Sequence, residues 1–332
     1  MSRSLVCTFA KDEHVAQIAY FNEHYADVAK HKKRPFQLAH DDRSQNLLPA
    51  VRAQAIQVFK DLNIQFHTYI GHGRSSQACC INFLMPFADK PALLSRWIGR
   101  LLGITPPQML QTEKEMAGNY RYVAFEYTGP DDIDFLGEAE GRVPGRGANA
   151  TAADAAVAFE DEHGVRHLLL IEWKYTEEYR SHRLSEDKKG KRHSRYADKL
   201  LAPDGPVRAD LGLTLDDFLC EPFYQLARQQ MLAWQIERTS DRFDRVRVLH
   251  LSPSGNKALH DVTSPRLAAL EVGHVDDAFA AFRACLQHPE SFIDRSIELA
   301  FGPISQWQDA SWWPDLAARY PSMIGNSEAE EA

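Results

Sequence analysis

The stretch Thr151-Ala152-Ala153-Asp154, followed after one turn by Leu168-Leu169-Leu170-Ile171-Glu172-Trp173-Lys174, sets two carboxylates and an ammonium where neighbouring strands converge. Side chains alternate along a strand, so Glu172 and Lys174 share one face while Ile171 and Trp173 take the other. Upstream, Ala155, Val157 and Phe159 alternate with Asp154, Ala156, Ala158 and Glu160, a period of two whose apolar members are expected to face inward. Glu160-Asp161-Glu162-His163-Gly164 reads as a turn, with Gly164 free to take positive φ, and the apolar run resumes near Arg166. The prediction is an antiparallel hairpin that brings Asp154 opposite Glu172, at roughly 4.5–5.5 Å between directly opposed Cβ atoms. Like charges that close repel unless a cation lies between them. Glu172 ends an aliphatic run and so belongs near the core, where an ionised carboxylate needs a partner. The pair therefore reads as a metal site.

Asp154 followed after a hairpin by Glu172-Trp173-Lys174 resembles the D…(D/E)-x-K signature of the PD-(D/E)XK nuclease superfamily, although no proline precedes Asp154. The wording around it is similar to a bacterial restriction-endonuclease-like group: Thr151 to Asp154, Ile171 to Glu177, Ser75-Ser76-Gln77 with Cys80-Ile81-Asn82-Phe83, and Tyr224 to Gln230. The resemblance spans about residues 70 to 250. It implies an α/β fold with a restriction-endonuclease-like αβββαβ core and a mixed central sheet. It also implies a metal-dependent endonuclease that hydrolyses DNA phosphodiester bonds, most often in restriction or defence. A repair or recombination nuclease would use the same residues, and a non-cleaving nucleic-acid-binding subunit or a small-phosphoester hydrolase are the rivals.

Phosphodiester hydrolysis needs an activated water and a way to offset charge on the phosphate and leaving oxygen, both of which Mg²⁺ or Mn²⁺ supplies. Asp154 and Glu172 are the expected ligands, with the backbone carbonyl of Trp173 as a third oxygen. Lys174 is placed to orient the water or stabilise developing charge. Replacing Asp154 or Lys174 with alanine is expected to abolish cleavage with little change in melting temperature. Glu126 on the first strand and Glu138 in the following loop are further carboxylates to consider. Gln225 and Gln229 share a helix face with Arg228 between them in sequence. By resemblance, Tyr224 and Gln225 approach the metal, and Ser76 and Gln77 contact substrate; Ser75-Ser76-Gln77 is also a good helix start.

A net charge of −8 over 332 residues sits awkwardly with DNA binding, because phosphate contacts supply most non-specific affinity. The cations are uneven: Arg180, Arg183, Lys188, Lys189, Lys191, Arg192, Arg195 and Lys199 cluster after the Glu172 strand. They read as a solvated loop or as a flap that grips the nucleic-acid backbone, with Lys188, Lys189, Lys191, Arg192 and Arg195 as its contacts. The five cysteines lack zinc spacing, and Cys79-Cys80 reads as buried apolar filling. His67 and His72 read as turn or surface residues. No stretch is long and apolar enough to span a bilayer, and Met1 to His14 lacks the features of a secretory signal, so a cytoplasmic location without membrane contact is expected.

Periodicity predicts helices over Asp12–Lys33, Pro49–Leu62, from Ser76, from Pro91 to a Gly103 cap, near Pro106–Met116, over Leu215–Arg238, and from Val275 through Cys285. Strands are expected over Tyr120–Tyr127 and Val246–Leu251, with a long connection from Gly129 to Asn149. The expected organisation is a helical N-terminal extension (1–70), a nuclease core (71–255), a helical C-terminal region packed on it (256–326) and an acidic disordered tail (327–332). Trp307, Trp312 and Trp313 read as packing residues in preference to base-stacking ones. Double-strand cleavage would be simplest for a symmetric homodimer.

Overall fold

A computed structural model of the chain describes residues 8–113, 121–147, 150–179, 189–270 and 277–324. Cys7, Arg180, Arg183, Lys188 and the tail 327–332 lie outside them, as does the side chain of Lys189. The chain opens with α1 (Thr8–His24), a hairpin of β1 (Lys30–His31) and β2 (Arg34–Leu38), α2 (Pro49–Asp61), α3 (Ser76–Leu84) and α4 (Pro91–Leu102). Then come β3 (Gln108–Leu110), β4 (Val123–Tyr127), β5 (Ala153–Glu160), β6 (Arg166–Trp173), α5 (Lys189–Leu200), α6 (Phe223–Thr239) and β7 (Arg245–Ser252). The rest is α7 (Pro265–Ala268), α8 (Ala278–Cys285), β8 (Phe292–Ser296), α9 (Ile297–Phe301), α10 (Trp313–Arg319) and α11 (Pro321–Ile324).

The expected hairpin forms the middle of a mixed sheet. β5 and β6 pair antiparallel from Ala155–Ile171 to Glu160–Arg166, with Gly164 at φ 77° in the turn. β6, β7 and β8 run parallel, while β3 and β4 lie end to end along the other edge of β5. One correction concerns the faces. The alternation in β5 was expected to bury only one side, yet Ala155, Val157, Phe159, Ile171 and Trp173 join one core cluster and Ala156, Ala158, Leu168 and Leu170 join another. A sheet with parallel strands is covered on both sides, so its central strands read as continuous apolar runs. α3 covers the first face, with Phe83 and Trp173 rings 5.1 Å apart, and α6 covers the second through Leu226, Met231 and Ala233. The first cluster also gathers Phe9, Val51, Phe301 and Trp312, so both ends of the described chain pack on that face.

Several elements depart from the expected ones. α1 stops at His24, and the following residues form the β1–β2 hairpin. The helix expected near Pro106 is a strand at Gln108–Leu110, drawn onto the open edge of β5. α6 starts at Phe223, because Thr214 caps a separate 3₁₀ turn at Leu215–Phe218 and Pro222 separates the two. The described basic cluster is a helix, α5, and not a loop. Gly103 caps α4 at φ 65°, where a side chain would be strained. Trp312 and Trp313 are buried in the core, and Trp307 lies under the Arg96 guanidinium at 3.7 Å. Cys79, Cys80, Cys220 and Cys285 are buried. No helix of the described residues is long and apolar enough to cross a membrane.

Candidate active site

The register that pairs Ala155 with Ile171 brings Asp154 opposite Glu172 one step further on. Asp154 Oδ2 accepts the backbone N–H of Trp173 at 2.7 Å, which fixes the carboxylate at the open end of the hairpin. Glu172 is 2 % exposed. Its Oε1 accepts Lys174 Nζ and Gln225 Nε2, each at 2.5 Å, and its Oε2 accepts Gln229 Nε2 at 2.9 Å. Gln225 and Gln229 stand one helical turn apart on α6, so their amides reach the same carboxylate. Gln229 also donates to Ala152 O at 2.8 Å, tying α6 to the start of β5. Gln225 was expected near the site from resemblance, whereas Gln229 was noticed only as its helical neighbour.

Electrostatics follow from this crowding. Burial holds the Asp154 carboxyl well above the usual range, with the Glu172 charge adding to the rise and Lys174 opposing it. Burial also raises Glu126, aided by Glu172 and opposed by the Gln77 hydrogen bond. For Lys174, burial pulls downward, but Glu172, Tyr179, Asp154 and Glu177 together outweigh it and keep the ammonium charged. Two acids that repel and one cation held firmly protonated therefore share the end of β5 and β6.

Asp154 and Lys174 lie in the floor of a cleft of about 800 Å³, with Glu126, Ser76 and Gln77 beside them. Glu126 adopts φ 47°, a left-handed conformation costing a residue with a Cβ about 1–2 kcal/mol. Its carboxylate accepts Gln77 Nε2 at 2.6 Å, and Gln77 Oε1 accepts the backbone N–H of His67 at 2.8 Å. Ser76 Oγ donates to Trp173 O at 3.1 Å, so the carbonyl expected as a third metal ligand already has one partner. Ser75 caps α3 through Ala78 N–H at 3.2 Å. Ser76 and Gln77 thus line the cleft as struts between its walls and floor. His67 and His72, read from the sequence as turn residues, line it too.

Other candidates stand elsewhere. Glu138 accepts the Thr151 backbone N–H, Thr151 Oγ1 at 2.8 Å and Tyr196 OH at 2.5 Å, so it anchors the approach to β5 and is not in the cleft lining. Tyr224 lies between the guanidinium groups of Arg192 and Arg228, at 5.1 and 4.9 Å from its ring centroid. Lys191 and Arg195 sit 3.6 and 3.5 Å from Glu140, and no described α5 residue lines the cleft. The sequence reading missed His250: register on β6, β7 and β8 sets Glu172, His250 and Asp294 in one row. His250 Nδ1 lies 2.8 Å from Asp294 Oδ1, and Nε2 has no partner among the described residues. A histidine interrupting Val248-Leu249-His250-Leu251 was the available signal.

Among the described residues, no group of three or more His, Cys, Asp or Glu side chains is gathered as a metal cage requires. The donors on hand are two carboxylates facing one another across the hairpin, with Glu126 acting on them through its charge. No curated protein and no solved structure matches the chain. A family description does match, over residues 10–320, a span that includes the sheet, both covering helices and the cleft. On that match the protein belongs to the family described as Restriction Endonuclease associating with ARP.

Proposed function

We infer that this protein is a metal-dependent DNA endonuclease of the PD-(D/E)XK class, acting at the cleft floor. The observation that carries this reading is the convergence of Asp154, Glu172 and Lys174 at the ends of β5 and β6, beside an open cleft. The order α3, β4, β5, β6, α6, β7 supports a restriction-endonuclease-like core, and the family description supports a nuclease with DNA as substrate.

The donor set argues for magnesium over zinc. Structural zinc takes four nitrogen or sulfur ligands, whereas Mg²⁺ keeps several waters and is held by one or two carboxylates plus substrate phosphate. Asp154 and Glu172 would hold it. When bound, the ion supplies Lewis-acid polarisation of the phosphate and a water of lowered pKa. The remaining work falls to the chain. Trp173 N–H fixes the rotamer of Asp154, and Gln225 and Gln229 fix both oxygens of Glu172. Lys174, kept protonated, presents fixed positive charge where the pentacoordinate phosphate gathers negative charge. Cutting both strands from one kind of site would take two copies of the chain.

Incubation of supercoiled plasmid with the protein and Mg²⁺, against a chelator control, tests the reading. Nicked or linear product that disappears in Asp154→Asn is expected; intact plasmid together with intact single-stranded DNA over a range of Mg²⁺ and Mn²⁺ would refute it.

A further inference from the structure

Opposite the floor, the cleft has a wall built by residues 65–74, a segment with no part in the chemistry. The wall is tied down along its length. Leu38 N–H donates to Gly71 O at 3.0 Å and Gly73 N–H to Phe36 O at 2.7 Å, so β2 braces it as a neighbouring strand would. Asn46 Nδ2 donates to Ile70 O at 2.7 Å and His72 O at 3.0 Å. Buried Arg319 donates to Asn46 Oδ1 at 2.7 Å and Gly73 O at 3.3 Å. At Gly71 an added Cβ would lie 2.8 Å from that of Arg43, so only glycine permits the approach.

Among the described residues, this wall carries the cleft's arginines: Arg74, and Arg34 beside it on β2. Burial, then the charges of Arg74 and Arg34, push His72 down to about 4, so it is neutral in ordinary buffers and the positive charge belongs to the arginines. Tyr69 is 49 % exposed, and its ring centroid lies 5.5 Å from that of His67. Arginines interleaved with an exposed aromatic are the ingredients of single-strand platforms, where phosphates follow the cations and bases stack on rings. A stacking ring serves a base only once it has left its own stack, which a closed duplex does not offer. The cleft's volume falls in the roughly 300–1,000 Å³ range of small-ligand pockets, room enough for nucleotides.

We propose that this wall holds a single DNA strand, Arg34 and Arg74 gripping its phosphates and Tyr69 stacking one base, so that the strand passes over Asp154; the direction of passage rests on the nuclease reading. The test is fluorescence anisotropy of the full chain with a labelled oligothymidylate, in chelator so that no cleavage intrudes. The single strand is expected to bind at least about fivefold more tightly than a blunt duplex of equal length. Tyr69→Ala is expected to weaken binding about fivefold or more, and Tyr69→Phe to retain it. Arg34→Ala is expected to reduce the slope of log K against log salt by about 0.7, while Arg100→Ala on α4 leaves it unchanged. Arg34 and Tyr69 are exposed, so their variants keep the fold.

Tighter binding to duplex, wild-type binding by Tyr69→Ala and Arg34→Ala, or no binding at all would overturn the proposal. A protein that binds through Tyr69 but cleaves neither plasmid nor the oligothymidylate in Mg²⁺ or Mn²⁺ refutes the nuclease reading alone. One that nicks plasmid while both wall variants bind as wild type refutes the wall alone.

Discussion

Lys174 Nζ lies 2.5 Å from Glu172 Oε1, and both side chains are closed off from water, at 7 % and 2 % exposure. The cation proposed for catalysis is thus also the counter-charge of a buried acid, which changes what its removal does. Removing one partner of a buried pair costs about 3–5 kcal/mol, because the other is left as an uncompensated charge. Lys174→Met is therefore expected to lower the melting temperature of the metal-free protein markedly, against the expectation of little change drawn from the sequence. Lys174→Met with Glu172→Gln is expected to recover part of the loss. Thermal melts in chelator check this, and an unchanged single variant would count against the pair.

Asp154 has its proton held more tightly in the folded protein than in the unfolded chain, through burial and then Glu172. A raised folded value contributes stability that is complete below the ordinary aspartate value of about 3.9 and is lost as pH rises through the folded one. The melting temperature in chelator is expected to fall as pH climbs across that window. Glu126 titrates in the same sense, while Lys174 stays charged, so Asp154→Asn is expected to reduce the slope without abolishing it. Adding Mg²⁺ at the upper end is expected to restore stability; identical pH profiles for the variant and the parent would contradict this.

Gln229 serves two acceptors with one amide nitrogen, Glu172 Oε2 and Ala152 O. Gln229→Ala leaves both buried and is expected to cost about 1–3 kcal/mol in urea unfolding. Gln229→Glu is expected to be worse, because it adds a second carboxylate beside Glu172. A neutral Gln229→Ala would mean that water replaces the amide.

Arg319 is fully buried. Its charge is met by Gln17 Oε1, Asn46 Oδ1, Gly73 O and the faces of Tyr20 and Tyr320. Arg319→Leu is expected to cost about 1–3 kcal/mol for each acceptor left unmet, and to speed hydrogen exchange at the amides of Gly71 and Gly73. Unchanged exchange there would mean that β2 alone braces the wall.

What could be read in advance was local. The β5–β6 hairpin, the Gly103 cap and the Asp154–Glu172 approach follow from alternation and turn chemistry inside short windows. The strand at Gln108–Leu110 could not be read that way, since its conformation comes from an open edge on β5 contributed by distant sequence. The basic stretch failed for a similar reason: its charges suggested solvent, but Tyr196 and Leu200 supply an inner face that fixes it as α5. His250 and Asp294 become neighbours of Glu172 only through parallel pairing of strands far apart in the chain. His67, Tyr69 and Arg34 gained a role only when residues 65–74 folded against the floor.

The contact between Arg319 and Gly73 joins residues 246 positions apart, so the segment 65–74 and α10 are mechanically coupled: loosening the docking of one is felt as loss of order in the other.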